Sequence, residues 1–163
     1  MTTQKTAPVR SELTAEHKGQ QIAAQTITLS RDSLVRYAGA SGDFNPIHYN
    51  DEFARSVGLD SVIAHGMLTM GSVIAPVVDW AGDPGAISAY ESRFTKPVPV
   101  PALGSADLEV TAVVGAVDEA KREARIDLTV RLDGATVLGK CRATVRLDQT
   151  SPFEGDGANE GIE

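Results

Sequence analysis

The chain has 163 residues, 42% of them hydrophobic, and a formal charge of −7, which is the profile of one soluble domain with enough apolar residues for a core. No dense lysine/arginine run offsets the acidic excess, so an electrostatic nucleic-acid binder is excluded. The single cysteine, Cys141, excludes an internal disulfide and a multi-cysteine metal site. MTTQKTAPVR at the start has no apolar leader, and nothing approaches the ~18 apolar residues of a membrane span, so a cytoplasmic protein with no membrane partner is expected.

Residues 1–19 are polar and without period and read as a flexible segment, with His17 an exposed residue within it. Ile22, Ala24, Ile27 and Leu29 predict a short strand over 21–29. Ser30 then caps a helix over 31–40, with Leu29 and Leu34 placed as a hydrophobic staple and Gly42 as its stop. Asn45 precedes Pro46 and is pushed out of helical geometry. Asn50 caps a second short helix, whose first turn carries Asp51 and Glu52 and which Gly58 closes. Residues 66–81 are nearly uncharged, and Met67, Met70, Val73, Ile74, Val77 and Val78 share helical spacing. A helix apolar nearly all round is expected to be buried on most sides, with Pro76 kinking it or ending its hydrogen-bond ladder.

The period then changes from about 3.6 to 2. Strands are predicted over 87–95 and 108–114. Ile126, Leu128, Val130 and Leu132 alternate with polar residues, Asp133-Gly134 is a two-residue turn, and Val137, Gly139, Cys141, Ala143, Val145 and Leu147 alternate after it. Cys141 falls on the apolar side, which favours packing over reactivity. Residues 149–163 carry four acids, three glycines and a proline and read as a disordered acidic tail. Helices first and antiparallel strands after make an α+β pattern.

The chemistry concentrates in residues 37–71, which hold two of the three histidines. A turn over Gly42 to His48, pinned by Pro46, brings a carboxylate, Asp43, and an imidazole, His48, within reach of one water, as general acid–base catalysis requires. Asn45 can orient either partner without titrating. Gly66 opens the apolar helix, so its backbone N–H has no intrahelical acceptor and lies at the positive end of the dipole, suited to stabilise an enolate oxygen. His65 can brace that turn. Residue type alone leaves other roles open: Asp43 as turn former, His48 and His65 as structural histidines. A zinc site from Asp43, His48 and His65 matches no common ligand spacing, and neither a nucleophile elbow nor a phosphate-cradling glycine loop is present.

Tyr37-Ala38-Gly39-Ala40-Ser41-Gly42-Asp43-Phe44-Asn45-Pro46-Ile47-His48, followed by five residues to Ala54, resembles the signature of the MaoC-like (R)-specific enoyl-CoA hydratases, also called hydratase 2. Ala40 departs slightly from the larger aliphatic or glycine usual there. Ala64-His65-Gly66-Met67 and Tyr90-Glu91-Ser92-Arg93-Phe94-Thr95-Lys96-Pro97-Val98 are similar to the family's second and third blocks, and the likeness covers about residues 20–147. Gly58 through Gly71 and Trp80-Ala81-Gly82-Asp83-Pro84-Gly85-Ala86 are similar to the catalytic subunit of actinobacterial (3R)-hydroxyacyl-ACP dehydratases.

The resemblance implies a hot-dog domain over 20–148, a curved antiparallel sheet wrapped around a long central helix at 67–79. It implies Asp43 and His48 as the catalytic dyad, Asn45 as a positioning amide and the Gly66 N–H as oxyanion donor, with no cofactor and no metal. The expected reaction is reversible syn addition or loss of water, between a trans-2-enoyl and a (3R)-3-hydroxyacyl thioester of CoA or acyl carrier protein, in fatty-acid metabolism. A dimer is implied, either of identical chains or with another hot-dog subunit. Arg93 and Lys96 are candidates for contacting the carrier, against a reading as solvated strand-end charges. Two alternatives are a hot-dog acyl-thioesterase, which the Asp–x–Asn–Pro–x–His turn argues against, and a non-catalytic partner subunit, from which loss of Asp43 or His48 would be expected.

Overall fold

The structure, a computed structural model, describes residues 7–148. The acidic tail expected over 149–163 lies outside the described residues, as does the beginning of the N-terminal segment. Five strands form one antiparallel sheet: β1 (Gln21–Ser30), β2 (Ile87–Phe94), β3 (Ser105–Asp118), β4 (Glu123–Leu132) and β5 (Ala135–Arg146), in the spatial order β1-β3-β4-β5-β2. Between β1 and β2 come the helices α1 (Arg31–Ser41), α2 (Asp51–Ser56), α3 (Gly66–Val73) and α4 (Ala75–Ala81). This is the α+β arrangement of sheet and helix that the resemblance implies.

Alternation builds the covered face of the sheet. Ala106, Leu108, Val110, Ala112 and Val114 of β3 are buried beside Ala124, Ile126, Leu128 and Val130 of β4, each large side chain contributing about 1.5–3 kcal/mol. At the β4–β5 hairpin Leu132 faces Ala135, while Asp133 and Gly134 both take positive φ, 49° and 75°. That is the backbone whose twist suits a two-residue connection. Ser30 caps α1 by accepting the Ser33 N–H at 3.3 Å, and Gly42 ends it at φ 76°.

Two expectations are revised and a third is sharpened. In β5 strict alternation predicts Gly139 inside and Leu138 outside. The register shifts against both neighbouring strands, Lys140 adopts φ 48°, and both Val137 and Leu138 are buried. The 66–81 helix breaks where Pro76 predicts: two segments join at Ile74, whose carbonyl accepts from both Val77 and Val78 N–H, because Pro76 has no N–H to continue the ladder. In the single chain this helix keeps one exposed edge: Thr69, Val73, Pro76 and Val77 are buried and Met70 and Ile74 half-buried, while Met67 is 59% exposed. Finally, residues 7–19 lie against the body in place of a free polar segment. Leu13 is fully buried, Arg10 is buried within 3.5 Å of Asp83, the Trp80 indole donates to the Pro8 carbonyl, and His17 Nδ1 accepts the Thr14 N–H.

Candidate active site

The turn after α1 is built from short side chains that serve their own backbone. Ser41 Oγ donates to the Tyr37 carbonyl and accepts the Asp43 N–H; Asp43 Oδ1 accepts the Asn45 N–H, and Asn45 Oδ1 the Ile47 N–H, both at 3.2 Å. Pro46 opens a single 3₁₀ turn, Pro46–His48. Asn45 thus acts on the turn itself: its oxygen caps the segment that carries His48.

His48 is 7% exposed, and its Nδ1 lies 2.7 Å from the Ile63 carbonyl oxygen. A carbonyl only accepts, so Nδ1 carries the proton and neutral His48 holds its lone pair on Nε2. That Nε2 stands 3.9 Å from Asp43 Oδ2, and the Asp43 side chain is 51% exposed. The separation is too long for a direct hydrogen bond, yet both atoms can reach a single oxygen at about 2.8 Å from each.

His65 touches both members of this pair. Its Nε2 donates to the Asp43 backbone carbonyl at 3.1 Å, and its ring stacks on His48 with centroids 3.7 Å apart and planes 23° from parallel. Tyr37 meets its ring at 4.8 Å, and its Nδ1 is buried with no hydrogen-bond partner. Burial holds His65 below the ordinary histidine value. The bond to the Asp43 carbonyl and the Asp43 charge oppose this, while the charge of His48 adds to it. Burial thus favours the neutral form of His65.

Asp43, His48 and His65 each offer a ligand atom, all within 4.8 Å of one another. The geometry suits proton transfer better than a metal. Two stacked imidazoles have nearly parallel planes, so their in-plane lone pairs do not converge on one ion, and each ring spends a nitrogen on a backbone carbonyl.

His48 and Gly66 open onto a common cleft of about 300 Å³, walled by Ile63, Thr69, Phe94, Val98 and Leu138 among others. Gly66 is the first residue of α3, so its N–H is free of intrahelical bonding. A side chain there would put its Cβ 3.2 Å from the Phe94 ring, which gives the glycine a packing reason as well. Lys96 lines the cleft; Arg93 does not, being exposed on the edge strand β2. Sequence reasoning missed Thr69, Phe94 and Leu138 as walls. Leu138 could not have been found by alternation, because the register shift turns it inward.

Residues 12–131 match the family described as MaoC like domain. Among curated proteins, the chain is 42% identical over 79 residues to 3-hydroxyacyl-thioester dehydratase X of Mycobacterium tuberculosis, covering 48% of this chain and 27% of that one. It is 35% identical over 98 residues to an (R)-specific enoyl-CoA hydratase of Rhodospirillum rubrum, covering 60% and 68%. The chain thus spans about a quarter of the first relative's length and about two thirds of the second's. Among solved structures, a MaoC-like dehydratase superposes with a TM-score of 0.79 at 36% identity, over 86% of this chain and 42% of that one. The shared fold is the hot-dog fold.

Proposed function

Because this chain belongs to the MaoC-like domain family, we propose that it is a hydro-lyase interconverting trans-2-enoyl and (3R)-3-hydroxyacyl thioesters. The observation that carries this reading is a pair of acceptors: the Nε2 lone pair of His48, which lines the cleft, and the Asp43 carboxylate, which is outside the cleft lining but 3.9 Å from that nitrogen. Both accept, so a water between them gives up its two hydrogens to hydrogen bonds and keeps an oxygen lone pair for C3. As the C3–O bond forms, one member of the pair takes a proton, the electrons shift to the thioester oxygen as an enolate, and the Gly66 N–H stabilises that charge. The pair then delivers that proton to the α-carbon on the same face, which restores the pair and makes the addition syn; dehydration is the reverse. Asn45 and His65 position the pair. No metal or cofactor is needed for this balance.

Lys96 lines the cleft and no carboxylate pairs with it among the described residues, so it is our candidate for the phosphate or acidic surface of the carrier, CoA or acyl carrier protein. Arg93, away from the cleft lining, is a weaker candidate. The exposed apolar residues Phe44 (62%), Met67 (59%) and Phe94 (50%) lie on the site's own segments, and we assign their cover to a second hot-dog subunit, identical or not. That cover would lengthen the cleft into an acyl tunnel. A single, buried cysteine fits work in a reducing cytoplasm.

The test is to follow the ultraviolet absorbance of the enoyl thioester with the purified chain and crotonyl-CoA or longer analogues, then to resolve the product by chiral chromatography. Loss of the enoyl band with a (3R) product is expected. A mainly (3S) product, or release of free thiol in place of hydration, overturns the reading. Activity appearing only with a different hot-dog subunit added assigns this chain to a heterodimer.

A further inference from the structure

Arg31 opens α1 with a cation at the positive end of the helix dipole, where charge alone disfavours it. Its bonds account for the placement. Nε donates to the Val100 carbonyl at 2.7 Å, and the two Nη groups reach both oxygens of Asp51 at 3.1 and 2.8 Å. Asp51 opens α2, and its Oδ1 also accepts the Val62 N–H at 3.3 Å. The two side chains are only 23% and 28% exposed. A planar fork that spends three donors on fixed acceptors is a task lysine cannot perform.

The clamp borders the backbone run 62–64. Val62 accepts the Val100 N–H at 2.9 Å, Ile63 donates to the Ile47 carbonyl at 3.1 Å, and Ala64 donates to the Val98 carbonyl at 2.8 Å. In the middle of that run is the Ile63 carbonyl, which accepts the His48 Nδ1 proton at 2.7 Å. Asp51 follows His48 closely in the chain and returns to Val62, so turn, carboxylate and 62–64 run close a ring whose last link is the His48 imidazole.

We propose that the Arg31–Asp51 pair is a positioning device for His48: it holds the Ile63 carbonyl where it binds the Nδ1 proton and so keeps the lone pair on Nε2, at the cleft. This rests on the reading of His48 as a proton-transfer group of the site. Neither Arg31 nor Asp51 touches a reacting atom; both act through the 62–64 backbone. A clamp that merely pinned two helices to the sheet would change stability and leave the tautomer of His48 alone.

The experiment is to record the ring ¹⁵N resonances of His48 in the full chain at about pH 8, where an ordinary histidine is neutral, in wild type, Asp51→Asn and Arg31→Lys, with His48→Gln for assignment. Wild type should show a protonated Nδ1 and a bare Nε2. Both variants should show mixed tautomers, while half-buried His17, remote from the clamp in sequence, is unmoved, and kcat on an enoyl thioester should fall about tenfold with little change in KM. If Asp51→Asn does not fold, Arg31→Lys, which keeps the charge and loses the fork, gives the same reading. Folded variants that retain the wild-type tautomer overturn the proposal. A tautomer shift in a chain that stays without hydratase activity even when a second hot-dog subunit is added supports the clamp and sinks the lyase reading.

Discussion

The meander β3–β4–β5 and the segment from Asp43 to Gly66 are held together in opposite ways. The meander is a backbone ladder in which residue pairs such as Val110 with Val130 and Ile126 with Ala143 repeat one relation along the strands. The site segment has few repeating bonds. Its shape depends on single long-range contacts: His48 to the Ile63 carbonyl, His65 to the Asp43 carbonyl, Asp51 to Val62. Substitutions in the ladder should therefore register as stability, and substitutions in the segment as rate.

The sharpest break in that contrast comes from the pair itself. Asp43→Asn and His48→Gln should each lower kcat at least ~10²-fold with circular dichroism and urea midpoint near wild type; near-normal rates in both would end the assignment of the dyad. Leu108→Ala should do the reverse. Leu108 is fully buried, so its truncation should cost about 2–5 kcal/mol in urea unfolding, while the folded enzyme keeps its kcat within a factor of a few. A large kcat loss at full folding would show that the ladder does reach the chemistry.

His65 sharpens the comparison, because it belongs to both sides. His65→Phe keeps a ring against His48 and drops the bond to the Asp43 carbonyl; His65→Gln does the opposite. Each should lower kcat on the order of tenfold, and a silent variant would show its lost contact to be dispensable. Stability carries a pH signature as well. The folded value of His65 is depressed below the ordinary 6.5, chiefly by burial, so the unfolded chain takes up a proton first as pH falls. The stabilisation is complete above about 6.5 and is lost as pH falls through the folded value. Urea midpoints between pH 7 and 5 should thus drop more steeply for wild type than for His65→Phe. The smallest effect belongs to the hairpin: Gly134 sits at φ 75° with open space around a would-be Cβ, so Gly134→Ala should cost about 1 kcal/mol of stability through backbone strain alone and nothing in rate.

What could be read from the chain follows the same division. The hairpin was legible because Asp133-Gly134 and the flanking alternation are local and redundant. The caps Ser30 and Asn50 were legible because one short side chain serves a nearby N–H. The register shift at Leu138–Lys140 was not, since lysine at positive φ has no local signal. Residues 7–19 looked free because their anchors, Asp83 for Arg10 and Trp80 for Pro8, are distant in sequence. At the site, the turn around Pro46 announced a carboxylate and an imidazole in reach of each other. The stacked pair of histidines and the fork of Arg31 did not show, because nothing in the spacing of residues 31, 48, 51 and 65 reveals which backbone atoms they will meet.

The strand order has a consequence in time. β3, β4 and β5 are sequential neighbours joined by short connections, whereas β1 must find β3, and β2 must find β5, across long intervening segments. Loop closure over such distances slows docking, so the meander should gather first, with β1, β2 and the helices condensing onto it. The cleft is walled by Phe94 at the end of β2, Leu138 of β5 and the start of α3, all of which converge only in that last step. Pulsed hydrogen exchange during refolding should accordingly protect the amides of Val110, Leu128 and Ala143 before that of Ile63, and the proposed hydratase activity should return with the slowest phase. The site is the keystone of the molecule in this sense: it should be the final piece to be set.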